Sequence, residues 1–400
     1  MQHIRSHFHL FRNREMDSLY FTLALLHFGE GLISIFIPIY FLTLEYKLWE
    51  VFLFYFLRSA FFILATIILL PQMKKYSDKM LMFVSTPFII FYFFGLGFVD
   101  IWPVLFYILP LFSALSLLLF NVGYHLSFAD AADEGFIGRE VSVRLVGSML
   151  AKFAAPFAGG ALIVALGFRY VFVVGSIILL FSVLPLFYLS KKKYLSHADI
   201  DAVFGFIKNK SLRPFNILGI GYATESMVSW IVWPIFIYFT VGSIEEFGGI
   251  ISVGLFGGAI MTYMVGFLSD TGKRRRVMTI SAMALCLIWL VRLFISGVYA
   301  VVEIHIIGDI IVAGLMVAWT SQFYSIARGV NNAGLFILSR EIIYHLARAV
   351  FLPILAILAY FLPIHQFFGI SFVFGALFTL FYLFGNKQHL SKINKDMVKA

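Results

Sequence analysis

Charge is what this chain has least of: Asp, Glu, Lys and Arg make up 13% of its 400 residues, against 61% hydrophobic residues. A water-soluble chain of that length cannot hide so much apolar surface, so lipid must solvate most of it. Cysteine is nearly absent, and the single Cys286 excludes an intrachain disulfide framework. Neither His-Glu-x-x-His nor Gly-x-x-x-x-Gly-Lys-Ser/Thr occurs, so a metalloprotease helix and the phosphate-cradling loop of a self-contained ATP-driven pump are both missing. No cofactor box can be read in the 48 Phe, which serve lipid contact and packing, and no cofactor or metal is expected. A cleavable leader is not expected either: the segment before residue 18 is polar, and the apolar run 18–43 is too long for a signal core.

Acidic residues are scarcer than basic ones, 21 against 30, giving a net charge of +9. In a soluble protein that excess would point to nucleic acid. Here it is accounted for by basic loops facing anionic lipid headgroups, and no nucleic-acid partner is expected.

Long apolar runs are abundant. Runs of span length fall at 18–43, 50–71, 80–98, 102–122, 144–166 and 168–190, and again at 214–241, 247–268, 277–297, 300–321, 340–361 and 364–385. Each can cross a hydrocarbon core of about 30 Å as a helix. With twelve crossings, 24 of the 30 Lys and Arg fall on one side, while the opposite loops keep only Lys47 and Arg169. Basic loops resist translocation, so this bias predicts both termini in the cytoplasm, in a plasma or inner membrane. The expected organisation is a six-helix bundle over 1–190, a cytoplasmic linker over 191–213, a second bundle over 214–386 and a cytoplasmic tail over 387–400.

The halves repeat. Glu30-x-x-x-Ser34-x-x-x-Pro38 matches Glu225-x-x-x-Ser229-x-x-x-x-Pro234, and 41 residues beyond each Glu stand Pro71 and Gly266. Leu150-Ala151-Lys152 lies beyond Arg144 as Leu346-Ala347-Arg348 lies beyond Arg340. The offset is 195–196 residues, and because each unit has six spans the two copies share one orientation.

The turn Gly266-Phe-Leu-Ser-Asp270-Thr-Gly272-Lys273-Arg274-Arg275-Arg276 resembles the signature loop of the major facilitator superfamily, which follows the second span of each half. Its counterpart is Pro71-Gln-Met-Lys-Lys75-Tyr-Ser77-Asp78-Lys79, where Lys75 stands in the Asp position and the carboxylate function is lost or moved to Asp78. Ala155-Pro156-Phe157-Ala158-Gly159-Gly160 resembles an element of proton-driven antiporters in that superfamily. The resemblance implies an all-α membrane fold of twelve helices in two pseudo-symmetric bundles, acting as a monomeric secondary transporter of a small solute. It also implies a central cavity lined by spans one, four, seven and ten and bordered by two, five, eight and eleven. Gly266, Asp270, Gly272, Lys273 and Arg274 would then form a cytoplasmic gating loop.

Charges within spans are costly and demand a reason. Glu30, Arg58, Lys152, Glu225, Asp309 and Arg348 all fall on spans that the resemblance places at the cavity, and His27 shares the face of Glu30. Two readings stand for them: permanent pairs that fasten helices, or a site in which Glu30 or Glu225 carries a coupling proton while Lys152 or Arg348 modulates it. Trp230 and Trp233 could offer a ring face to an organic substrate. The alternatives are an uncoupled facilitator, a channel or scaffold, and an integral-membrane transferase using Asp130-x-x-Asp133-Glu134 to hold Mg²⁺. Both signs of charge are present, so the sequence does not declare the substrate.

Overall fold

The computed structural model describes residues 14–131, 137–192, 195, 199–268, 274–330 and 332–386. All regular structure among them is helical, as lipid requires of a chain that must satisfy its backbone internally. Span one is α1 (Arg14–Gly31), a 3-10 turn (Ser34–Phe36) and α2 (Ile37–Thr43). Spans two to six follow as α3 (Leu48–Met73), α4 (Asp78–Leu96), α5 (Leu105–Ala131), α6 (Ile137–Leu166) and α7 (Phe168–Phe181), which ends in a 3-10 turn. A short helix α8 (Ile200–Lys208), capped by Asp199 accepting from the Ala202 amide at 2.7 Å, then leads into the second half.

Span seven is α9 (Arg213–Met227), a π-helical turn (Val228–Val232) and α10 (Trp233–Val241). The rest are α11 (Ile244–Leu268), α12 (Arg274–Val291), α13 (Val298–Gly329), α14 (Ala333–Phe361) and α15 (Ile364–Thr379). Among the described residues, eleven of the spans are long and apolar enough to cross a membrane. The remaining element, at the place of the expected ninth span, is α12, an 18-residue helix with Arg274, Arg275 and Arg276 in its first turn.

Two expected span starts fall short of the helices. α6 begins at Ile137 and α14 at Ala333, each seven residues before the hydropathy boundary at 144 and 340. Arg144 and Arg340 end the apolar runs, but a polar residue on a cavity face does not end a helix.

Both broken spans break just after a glutamate. After Glu30, span one leaves the α-ladder for a turn and a 3-10 segment. After Glu225, span seven widens into the π turn over Val228–Val232.

At the basic end of the first half, Asp78 at the N-terminus of α4 is buried. It accepts from the Ser127 hydroxyl, the Lys79 amide and the Lys192 amide. Lys192 is ion-paired with Asp130 and lies 3.9 Å from Glu15. The Asp130 hydrogen bond and charge hold its ammonium above the ordinary lysine range. Asp133 and Glu134 lie outside the described residues, as do Asp270, Gly272 and Lys273 of the expected gating loop. Gly266 sits within α11, and Arg274 opens α12 with its guanidinium donating to the Ser325 hydroxyl at 2.9 Å.

Candidate functional site

A cavity of about 570 Å³ lies between the halves, within the range of organic-ligand sites. Its wall is built from spans one to five of the first half and from spans seven, eight, ten and eleven of the second. Ile89, Tyr92 and Phe93 bring span three to the wall, although the resemblance placed that span at the periphery.

The wall follows one register. Leu26 and Tyr222, Gly31 and Met227, Ser34 and Trp230, Ile35 and Ile231 all line it, each pair 196 residues apart. The same offset relates Tyr55 to Ile251, Phe120 to Met316, Arg144 to Arg340 and Lys152 to Arg348.

Glu30, His27, Arg58, Lys152 and Arg348 reach the cavity together. Glu225 and Asp309, expected there, do not. In the cavity register the partner of Glu30 is Ser226, so Glu225 is one residue out of phase, which on a helix is a rotation of about 100°. Ser226 keeps the polar role: its hydroxyl accepts from Arg348 Nη2 at 3.3 Å, while Arg348 Nε donates to the Ala223 carbonyl at 3.4 Å.

Glu225 is buried inside the C-terminal bundle, where its Oε1 accepts from the Ser229 hydroxyl at 2.7 Å and from Trp289 Nε1 at 3.2 Å. Arg292 lies between the rings of Trp233 and Trp289, 3.9 and 4.0 Å from their centres. Trp233 Nε1 donates to His305 Nδ1 at 3.2 Å, and Asp309 lies 3.7 Å from that nitrogen. These side chains form a polar network joining spans seven, nine and ten, apart from the cavity. Trp230 lines the cavity and Trp233 does not.

Several cavity residues were not picked out from the sequence as site residues. Arg340 is ion-paired with Glu341, and its guanidinium lies 3.7 Å from the Phe323 ring centre. His345 stacks on Phe62 at 3.7 Å across the half boundary. Arg144 lies among the rings of Tyr124, Phe128 and Tyr324. The available signal was helical spacing: Arg144, Ser148 and Lys152, like Arg340, Tyr344 and Arg348, recur every four residues along one face.

The halves touch on both sides of this space. Toward the basic end, His125 Nδ1 and the Tyr324 hydroxyl are 2.6 Å apart, and Phe128 lies on Tyr324 at 4.4 Å. Toward the opposite end, Phe36 meets Phe247 at 5.5 Å and Trp49 meets Tyr360 at 6.2 Å. There α6 and α11 approach closely enough that a Cβ on Gly248 would lie 2.4 Å from the Pro156 carbonyl oxygen. Gly159 similarly sits on the broken part of span one, where a Cβ would lie 2.3 Å from the Leu32 oxygen. Small residues at these points let the helices meet.

No family model and no curated protein matches this sequence. Solved structures do match over nearly its whole length. The human organic anion transporter MFSD10 (TETRAN) is 11% identical with a TM-score of 0.70, covering 92% of this chain and 99% of its own. The E. coli fucose:proton symporter FucP is 12% identical with a TM-score of 0.67, covering 93% and 98%. A bacterial homologue of the iron transporter ferroportin in an outward-facing state is 14% identical with a TM-score of 0.71, covering 94% and 99%.

The chain has the major facilitator fold.

Within that fold the parallel repeat sets the cavity on the pseudo-twofold axis between the two six-helix halves. Phe128 and Tyr324, equivalent in the register of 196, meet with their ring planes tilted by 39°, as a contact across such an axis allows. The carboxylate of Asp130 is engaged by Lys192, and among the described residues no group of three or more His, Cys, Asp or Glu could hold a metal ion.

Proposed function

We propose that this protein carries a small organic solute across a cell membrane by alternating access, with a proton as the coupling ion. The observation that carries the reading is the charged cavity between the repeated halves, with contacts between the halves on either side of it. Transport follows when one set of contacts opens while the other stays closed. The basic end is assigned to the cytoplasm by the charge bias of the loops. On this reading Gly266, Asp270, Gly272, Lys273 and Arg274 act at the cytoplasmic gate, and the carrier works as a monomer. The structural neighbours named above are described as an organic anion transporter, a fucose:proton symporter and a homologue of an iron transporter; that range supports transport and leaves the solute open.

Glu30 is the candidate proton carrier. It lines the cavity, lies within electrostatic reach of Lys152 and Arg58, and sits where span one breaks. A carboxylate whose cation partners move away during the transition changes its affinity for a proton, which couples the two movements. The same cations favour a second reading, an uncoupled facilitator in which Glu30 stays ionised and fastens α1 to α3 and α6.

Purified protein in liposomes with an internal pH dye separates the two. Substrate-dependent proton movement that is lost in Glu30→Gln is the expected result. Counterflow without any proton signal would establish the facilitator and leave Glu30 as a helix fastener.

A further inference from the structure

The cavity wall carries more positive charge than its own acids can balance. Arg58, Arg144, Lys152, Arg340 and Arg348 line it, against Glu30 and Glu341. Glu341 is taken up by Arg340. Among the described residues no carboxylate lies within 4.0 Å of the charged nitrogens of Arg58, Arg144, Lys152 or Arg348. Glu225 and Asp309, which would have balanced them, are turned into the C-terminal bundle. Unpaired cations in a cavity of low dielectric are costly, and in a binding site the missing counter-charge is the ligand.

Three of the four are disposed to receive it. Arg144 is enclosed by aromatic rings at the basic-end closure. Arg58 has a buried Nε with no partner, and its electrostatic reach extends to Glu30 on one side and Arg348 on the other. Lys152 makes no hydrogen bond or ion pair among the described side chains. Arg348 is held from behind by Ala223 and Ser226, and the Trp230 ring, half exposed, lies 5.6 Å from its guanidinium.

Resting on the transport reading, the geometry points to an organic anion as the solute: its charged group lies among Arg58, Lys152 and Arg348, its apolar body against Trp230, Trp319 and Tyr344, and it binds together with a proton on Glu30. Glu30 is the carboxylate within reach of Lys152 and Arg58, so while ionised it competes with the solute for both. When it takes a proton from the medium it becomes neutral, and the two cations turn to the solute. On the far side the anion leaves, the proton is released, and the ionised Glu30 neutralises the cations for the empty return. One anion and one proton therefore move in the same direction.

The groups facing Glu30 agree with this exchange. His27 precedes it by one turn on α1, Arg58 faces it from α3, Tyr92 from α4 and Lys152 from α6, with Arg144 further along α6 toward His27, while α5 contributes Asn121, Tyr124 and His125 to the same wall. Beside the neighbouring Gly29, α7 presents Gly175 and Leu179, neither of them titratable.

The test measures thermal stabilisation of the purified full-length protein at about pH 6 and about pH 8. The probes are benzoate, benzenesulfonate and phenyl phosphate, with benzamide, benzylamine and inorganic phosphate as the matched neutral, cationic and inorganic probes. The expected result is stabilisation by at least one organic anion, stronger at the lower pH, and none by benzamide or benzylamine; which anion acts distinguishes carboxylate, sulfonate and phosphate chemistry. Glu30→Gln retains the stabilisation and loses its pH dependence. Arg348→Gln raises the half-saturating concentration about tenfold or more, Arg348→Lys restores part of it, and Lys152→Gln serves if the first variant does not fold. Stabilisation by benzamide, benzylamine or inorganic phosphate equal to that of the organic anions, or none by any anion, overturns the inference. Stabilisation by anions without saturable flux in proteoliposomes overturns the transport reading and leaves the anion site standing.

Discussion

Glu30 and Glu225 open matching stretches of sequence, yet one faces the cavity and the other the interior of its own bundle. The two substitutions should therefore fail differently. Glu30→Gln is expected to leave thermal stability near wild type and to abolish gradient-driven accumulation in proteoliposomes. Glu225→Leu is expected to lower stability by at least about 1–3 kcal/mol, because the Trp289 N–H loses its buried acceptor. The loss shows as a drop in the unfolding temperature in detergent; an unchanged temperature would refute the network. The sequence placed Glu30, His27, Arg58, Lys152 and Arg348 at the cavity because charge within a span needs a polar surface to face. It misplaced Glu225 because the match of Glu and Ser held at 195 while the fold repeats at 196, and one residue turns a helix face away. Arg144 and Arg340 carry the better register, but in hydropathy they mark only the ends of apolar runs.

Helices α6 and α11 form the tightest meeting of the two halves, and it depends on the absence of side chains. A Cβ on Gly248 would lie 2.4 Å from the backbone oxygen of Pro156, an atom that cannot rotate away, so Gly248→Val must push the helices apart. We expect a loss of about 1–3 kcal/mol in stability. We also expect a longer distance between spin labels on Leu166 and Glu246, at the neighbouring ends of α6 and α11, in a Cys286→Ser background. An unchanged distance would show that the contact does not hold this end closed. The Pro156 and paired-glycine stretch was legible in the sequence as a motif, but not what it touches; its partners Leu32 and Gly248 lie in other spans, and no local pattern names them. The broken helices were half legible: Pro38 and Pro234 stand in the first turns of α2 and α10, where proline is tolerated, while no local pattern names the π turn.

At the scale of the molecule, the all-helical, multi-span fold follows from hydropathy and composition. These quantities sum over many residues and tolerate local error. The cavity depends on a single register kept across eight spans in four equivalent pairs, and a sequence with two competing offsets does not reveal which one the packing selects. Two closures bracket this cavity, Phe128 on Tyr324 toward the basic end and Trp49 beside Tyr360 toward the other. Alternating access requires that each open in turn. Cysteines replacing each pair, in the Cys286→Ser background, can be bridged by a short bis-maleimide and the flux of a carried solute followed in proteoliposomes. The account predicts that bridging either pair alone stops transport, while the same single cysteines treated without a partner do not. Undiminished flux with both closures bridged would contradict it.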